Sequence, residues 1–317
     1  MELNTKPSTT YLEFDDNTLL IELFGPNENH LKLLEKEIPV TINARGNQLV
    51  IQGEEENTRI AGRTLAALYL SLKEGKPVDA TDVMAALRSA NDKEPHEETF
   101  LTTKRRVITA RSRQQAAYIK SLKENELVFA EGPAGTGKTY LAVAYGVEMM
   151  MAGQIDRLIL SRPAVEAGER LGFLPGDIRE KVDPYLRPLY DALHDMLPFE
   201  QVTKKITLGE IEVAPLAFMR GRTLSNSIII LDEAQNTTEV QMKMFLTRLG
   251  SNSRMIVTGD LSQVDLPKGM PSGLQDALQT LDGVRGVGFI RFTERDVVRH
   301  HLVSRIVRAY ERKETHS

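Results

Sequence analysis

Residues 132–139 read Gly-Pro-Ala-Gly-Thr-Gly-Lys-Thr, set between a short apolar run at 126–130 and a longer one at 140–151. Glycines at 132, 135 and 137 let the backbone turn tightly and aim successive N–H groups inward, which makes an anion cradle. A helix starting at the end of that loop adds the positive end of its dipole to the same spot. Lys138 can then reach the β- and γ-phosphates of a nucleotide, and Thr139 offers a hydroxyl to Mg²⁺. The candidate nucleotide-binding run is Gly132, Pro133, Ala134, Gly135, Thr136, Gly137, Lys138, Thr139 and Tyr140. Strand, glycine loop and helix in that order commit the chain to an α/β architecture.

Composition narrows the classes further. At 317 residues the chain has room for about two domains. It has no cysteine, which excludes disulfides and thiolate metal sites. No apolar run approaches the ~20 residues that span a bilayer, and Met1–Thr10 is polar, unlike a secretory signal, so a cytoplasmic protein with no membrane contact is expected. The net charge of −4 excludes an indiscriminate polycation, so any nucleic-acid binding must come from local patches. One is acid-free from Leu101 to Lys123 and includes Lys104, Arg105, Arg106, Arg111 and Arg113; a second runs from Arg291 to Lys313. Charge runs of this kind are more often solvated faces than binding sites. The six histidines form no metal constellation and no Ser-His-Asp arrangement is legible, leaving Mg²⁺ with the nucleotide as the only expected metal.

Three regions separate along the chain. Residues 1–90 read as a small α+β module, with strands at Thr18–Phe24 and Gln48–Gln52 and helices at Glu28–Glu37 and Asn57–Leu72. Residues 91–110, opening on a polar, proline-containing stretch, read as a linker. From Arg111 to the C-terminus, strand–helix alternation predicts a parallel sheet flanked by helices.

This last region carries two more signals. Ser227–Leu231 is an apolar strand that ends in Asp232 and Glu233. At the carboxyl end of a strand beside the glycine loop, Asp232 can hold Mg²⁺ and Glu233 can take a proton from an attacking water. Thr238-x-x-Gln241 predicts a capping box, Met242, Phe245, Leu246 and Leu249 a core stripe, and Gly250 the helix stop. The next strand, Arg254–Thr258, delivers Gly259-Asp260 and then Gln263, whose amide could sense a γ-phosphate. Between the loop and Asp232, a strand ending at Arg162 precedes Pro175, Gly176, Pro184 and Pro188, which predict an irregular insertion in place of a crossover helix. Arg162, Arg170, Arg220 and Arg222 are candidates for RNA phosphates or a neighbour's nucleotide, with ion pairs to Glu166, Glu169 and Asp177 as the bland alternative.

The segments GPAGTGKTYLAVA, SRPAVEAGERLGFLPGDIREKVDPYLRPLYDAL, APLAFMRGRTL, IIILDEAQN and TGDLSQVDLP resemble the PhoH-like ATPase family, related to superfamily 1 helicase cores, over about residues 111–312. The resemblance implies ATP binding and hydrolysis, and a link to RNA metabolism or ribosome maturation. RNA and an RNA-processing or ribosome-maturation protein are then the expected partners. It implies a RecA-like sheet with an extra strand between those bearing the glycine loop and Asp232. It also implies that Gln115 reads the adenine edge, with Gln114 beside it leaving the register open by one. Residues 1–90 more weakly resemble a KH-like module, with Gly25-Pro-Asn-Glu28 at the place of its Gly-x-x-Gly clamp and the second glycine absent.

Together these point to an ATP-hydrolysing, RNA-linked remodelling protein. A nucleotide-gated adaptor with little turnover, or a small-molecule or nucleotide kinase, are the alternatives. Residues 111–317 suffice for one RecA-like domain, so a head-to-tail homo-oligomeric ring is expected to close the site. Arg248 is the first candidate for an arginine acting in trans, with Arg299 and Arg222 behind it.

Overall fold

A computed structural model describes residues 7–75, 77–91, 99–163, 178–267 and 269–297, without the side chains of 7 and 178–184. The chain divides into two compact units.

The first unit contains β1 (Pro7–Glu13), α1 (Asn17–Phe24), α2 (Asn29–Glu37), β2 (Val40–Arg45), β3 (Gln48–Glu54), α3 (Glu55–Lys73) and α4 (Ala80–Asn91). Its antiparallel sheet has the order β1-β3-β2. Val40, Ile42, Leu49 and Ile51 point into a core shared with Leu23, Leu34 and Leu65, while Thr41, Asn43, Gln48 and Gln52 alternate outward. The strand predicted at Thr18–Phe24 is instead the helix α1. Asp16 caps it by accepting from the Thr18 N–H at 2.8 Å, and Leu20 and Leu23, three residues apart, are its buried positions. A short apolar run fits either period, and the cap decides here. The strand lies earlier, in the polar lead Pro7–Glu13.

The second unit contains β4 (Phe100–Thr102), β5 (Val107–Thr109), α5 (Arg113–Glu124), β6 (Leu127–Glu131), α6 (Lys138–Met151), β7 (Arg157–Arg162), α7 (Ile178–Met196) and α8 (Phe199–Thr207). It continues through β8 (Ile211–Pro215), β9 (Ser227–Leu231), α9 (Glu239–Leu246), β10 (Arg254–Gly259), α10 (Gly273–Thr280) and β11 (Val287–Arg291). Six strands form a parallel sheet in the order β11-β6-β10-β9-β7-β8. β10 is the extra strand between β6, which bears the glycine loop, and β9, which ends before Asp232. Both faces are covered, which explains the apolar runs. Val128, Ala130, Ile228 and Ile230 face one core, and Leu127, Phe129, Ile229 and Leu231 face the other. Gly146 brings α6 close to the sheet, since a Cβ there would lie 2.5 Å from Leu158 Cδ1.

Three expectations are corrected in this unit. Part of the segment read as linker is the β4–β5 hairpin, with Leu101 and Ile108 in the core. Its turn spends two of three cations locally: Arg105 Nη1 donates to the His194 carbonyl at 2.6 Å and Arg106 pairs with Asp195 at 3.3 Å. The insertion predicted irregular contains the 19-residue α7, which runs through Pro184 and Pro188. An interior proline costs about 3 kcal/mol, and Leu186, Leu189, Leu193 and Met196, all buried, hold the helix against the core. Residues 164–177, with Arg170 and the Glu166, Glu169 and Asp177 partners suggested for these arginines, lie outside the described residues. Finally, the capping box at Thr238 and Gln241 is present, but α9 ends at Leu246. Gly250 serves close approach, since a Cβ there would sit 2.7 Å from the Leu224 carbonyl oxygen.

Candidate nucleotide site

Parallel strands place all their carboxyl ends at one rim, and four of them build this site. β6 runs into the glycine loop. Gly132, Gly135 and Gly137 have φ of 143°, 86° and 84°, values that side-chain-bearing residues rarely adopt. A Cβ at Gly132 would also lie 2.5 Å from the Phe292 carbonyl oxygen, so two backbones meet there. Lys138 opens α6 and is 8% exposed; its Nζ donates to the carbonyls of Gly132 at 2.5 Å and Pro133 at 2.7 Å. Burial pulls the lysine's pKa down, opposed by the nearby Asp260, Asp232, Glu233 and Glu131 carboxylates.

β9 delivers the acids. Asp232 is 5% exposed, and its Oδ1 accepts from Thr139 Oγ1 at 2.5 Å and Thr258 Oγ1 at 2.8 Å. Burial raises its pKa, opposed chiefly by the Thr139 hydroxyl. Glu233 adopts a left-handed φ of 53°. Its Oε1 pairs with Arg162 Nη2 at 2.8 Å and its Oε2 accepts from Gln235 Nε2 at 2.6 Å. The structure thus gathers Lys138, Thr139, Asp232 and Glu233 at one rim.

Gln235, fully buried, bridges this acid to β10. Its Nε2 also donates to the Gln263 carbonyl at 3.1 Å, and its Oε1 accepts from the Asp260 N–H at 3.1 Å. Gln263 is exposed, with Nε2 on Asp260 Oδ2 at 2.9 Å. Gln115 is buried against the loop and donates to the Thr136 carbonyl at 2.9 Å, whereas Gln114 donates to the Arg291 carbonyl at 2.8 Å. Thr136 folds the loop on itself through the Pro133 carbonyl. A cleft beside the loop is lined by Glu131, Pro133, Leu261, Arg291 and Phe292.

Arg248 is not brought to this rim. Its guanidinium donates to the carbonyls of Met244 at 3.0 Å and Arg222 at 2.9 Å, bracing the end of α9 near the start of β9, at the opposite end of the strands. That placement keeps Arg248 out of its own chain's site, and a role in trans on a neighbour's nucleotide stays an expectation. Arg222 is held bidentately by Glu212 at 2.6 and 2.7 Å. Arg299 lies outside the described residues.

The sequence reading left two site residues without their roles. Arg162, at the end of β7, was a candidate for external phosphates and instead pairs with Glu233. Gln235 stands within IIILDEAQN, where residue type and spacing alone give it no role. A charged residue closing an apolar strand, as in Leu158-Ile-Leu-Ser-Arg162, was the available signal for the first.

A parallel sheet that carries Gly132–Thr139 on one strand and Asp232-Glu233 on another is a P-loop nucleotide-binding domain of the ATPase type. A sequence model of the family described as PhoH-like protein matches residues 107–311. The PhoH-like protein of Bacillus subtilis (strain 168) is 49% identical over 300 residues, covering 92% of this chain and 94% of its own. That of Synechocystis sp. is 46% identical over 304 residues, 94% of this chain and 93% of its own. Protein PhoH of Escherichia coli (strain K12) is 49% identical over 205 residues, 64% of this chain and 58% of its own. The chain belongs to the PhoH-like protein family. Among the described residues, no helix is long and apolar enough to cross a membrane.

Proposed function

We propose that this protein hydrolyses ATP with Mg²⁺ and couples the turnover to RNA remodelling or to maturation of RNA or the ribosome. The observation that carries the reading is the Thr139 hydroxyl and Asp232 carboxylate, 2.5 Å apart, beside an oriented Glu233. Two hard oxygens, one at the start of α6 and one just past β9, suit Mg²⁺, which takes one or two protein oxygens and completes its shell with phosphates and water. Bound there, the ion would neutralise charge on the transferring phosphoryl group.

The chain's own residues do the rest. Backbone N–H groups of the loop cradle the β-phosphate, and Lys138 swings from the Gly132 and Pro133 carbonyls onto the β/γ-oxygens. Glu233 accepts a proton from water as its oxygen attacks the γ-phosphorus, and the bond to the β-phosphate oxygen breaks, releasing ADP. Gln263 reports the γ-phosphate, and Gln115, already on the loop, contacts adenine. Water activation by a carboxylate favours hydrolysis over transfer to a second substrate.

The RNA link, the cytoplasmic setting, the protein partner and the ring are part of this reading. So is a KH-like first unit, which the order strand, helix, helix, strand, strand, helix from β1 to α3 supports, with α4 following and the Gly25–Glu28 turn between α1 and α2. The test is the ATPase rate with and without a panel of RNAs. Stimulation by RNA is the expected outcome; binding of ATP without turnover would favour the adaptor, and phosphate transfer to a nucleoside the kinase.

A further inference from the structure

A general base works only if its carboxylate holds one orientation toward the water it serves, and a misplacement of about 1 Å can cost ~100-fold in rate. Glu233 sits in a left-handed backbone conformation just past the end of β9, where its own strand no longer guides it. Its side chain is held by two donors from different places, Gln235 on Oε2 at 2.6 Å and Arg162 on Oε1 at 2.8 Å.

Arg162 is placed by the ladder. β7 pairs in parallel with β9, Ser161 opposite Leu231, and the Ser161 carbonyl accepts from the Asp232 N–H at 2.9 Å. The next residue along β7 therefore reaches the two acids that follow β9. The arginine side chain is 20% exposed, and each of its nitrogens meets a different group. Nη2 serves Glu233, Nη1 donates to the Tyr185 carbonyl of α7 at 2.9 Å, and Nε lies 3.8 Å from Asp232 Oδ2. A planar fork can serve a carboxylate and a carbonyl at once in fixed directions; an ammonium on a flexible stem holds them less rigidly.

We propose that Arg162 is the positioning residue for Glu233, anchored by the Tyr185 carbonyl and fixing the carboxylate from the side opposite Gln235. The inference rests on the proposed ATPase activity and adds a residue to it. Arg162 acts through Glu233, so its loss should matter only while Glu233 is there to be oriented.

The experiment measures single-turnover hydrolysis of γ-labelled ATP by the full chain as wild type, Arg162→Ala, Arg162→Lys, Glu233→Gln and the Arg162→Ala/Glu233→Gln double variant. ADP affinity and melting temperature are followed in each. Arg162→Ala should lower the rate about 100-fold with ADP affinity unchanged, and Arg162→Lys should recover part of it. In the Glu233→Gln background, removing Arg162 should add no more than about twofold, the scatter of independent sites.

An unaltered rate in Arg162→Ala would overturn the role. So would an equal loss in the Glu233→Gln background, which would mean that Arg162 acts on the phosphates directly. A loss of ADP affinity and melting temperature in both Arg162 variants would make it structural and overturn it too. No turnover by the wild type is a different failure, since it removes the ATPase reading itself.

Discussion

Two helices in this chain start from a turn that opens Gly-Pro, and the two turns differ in what their backbones ask of the residues. Before α6, every positive φ at 132–137 falls on a glycine, so the loop closes without strain and encircles a buried lysine. Before α2, Gly25 takes φ 71° but Asn27 and Glu28 also turn left-handed, at 54° and 59°. The second turn thus holds an acid at a helix start and bears steric cost at a non-glycine. One loop's sequence matches its geometry position by position and converges with polar groups from three other strands. In the other, local geometry and sequence disagree, and no comparable set of side chains meets there among the described residues. The family model, at residues 107–311, takes in the glycine loop and not the Gly25 turn.

The largest expected effect tests the chemistry of the first loop. Lys138→Ala removes the only side-chain cation of the loop and should abolish tight ATP binding. Glu233→Gln should keep ATP bound while lowering turnover by about 10²–10⁴, since an amide fills the space but accepts no proton. Equilibrium binding with fluorescent ATP and a phosphate-release assay separate the two. Normal turnover in Glu233→Gln would remove that residue from the mechanism.

Alanine at the two Gly-Pro turns sharpens the contrast. At Gly132 it would meet the Phe292 carbonyl at 2.5 Å with φ at 143°, which should cost about 2–4 kcal/mol and disable the cradle. At Gly25 it would meet the His30 ring at 2.8 Å with φ at 71°, a left-handed strain of about 1–2 kcal/mol plus whatever the ring's shift requires. Denaturant midpoints should rank them in that order, with ATP binding lost only for Gly132→Ala. Equal losses would mean that the glycine loop is no more constrained than the turn.

Arg248→Ala falls below these. Removing hydrogen bonds to two part-buried carbonyls should cost about 1–3 kcal/mol of stability. ATP turnover per folded molecule should stay at the wild-type level, and mixing with Lys138→Ala subunits should restore nothing extra. Inactive Arg248→Ala subunits that regain activity in such a mixture would instead assign Arg248 the role in trans.

How legible each part was follows from how local its causes are. The glycine loop could be read because a backbone cradle needs glycines at fixed spacing, and Asp232-Glu233 because a doubly buried strand is an apolar run. Arg162 could be singled out as the charged end of an apolar strand but not paired with Glu233, since that pairing depends on β7 lying next to β9, an adjacency nothing local to residue 162 encodes. Gln235 carried no local signal, because its side chain bonds groups as far along the chain as Asp260 and Gln263. Thr18–Phe24 was misread because its apolar run is too short to show a period, and α7 because proline penalties were weighed without the core that offsets them. The intramolecular partners of Arg105 and Arg106 at the end of α7 were not legible, because the His194 carbonyl and Asp195 lie about ninety residues along the chain.

The smallest expected change is at Glu28, and it decides what the second turn is for. Replacing it by glycine relieves a left-handed strain of about 1–2 kcal/mol. Against this stand about 0.5–1 kcal/mol of extra chain entropy and about 0.3–1 kcal/mol of lost attraction between the acid and the start of α2. The net effect on stability should therefore stay within about 1 kcal/mol, and the informative readout is RNA binding. The substitution rebuilds Gly-x-x-Gly at 25–28 and removes a negative charge from the place where such a turn would meet a phosphate. If the first unit holds RNA there, affinity for single-stranded RNA should rise about two- to fivefold at low ionic strength, with the gain shrinking as salt screens the charge. Filter binding of full-length Glu28→Gly and wild type at two salt concentrations would show it. Unchanged affinity with unchanged stability would assign the turn to folding alone and leave RNA contact to the ATPase unit.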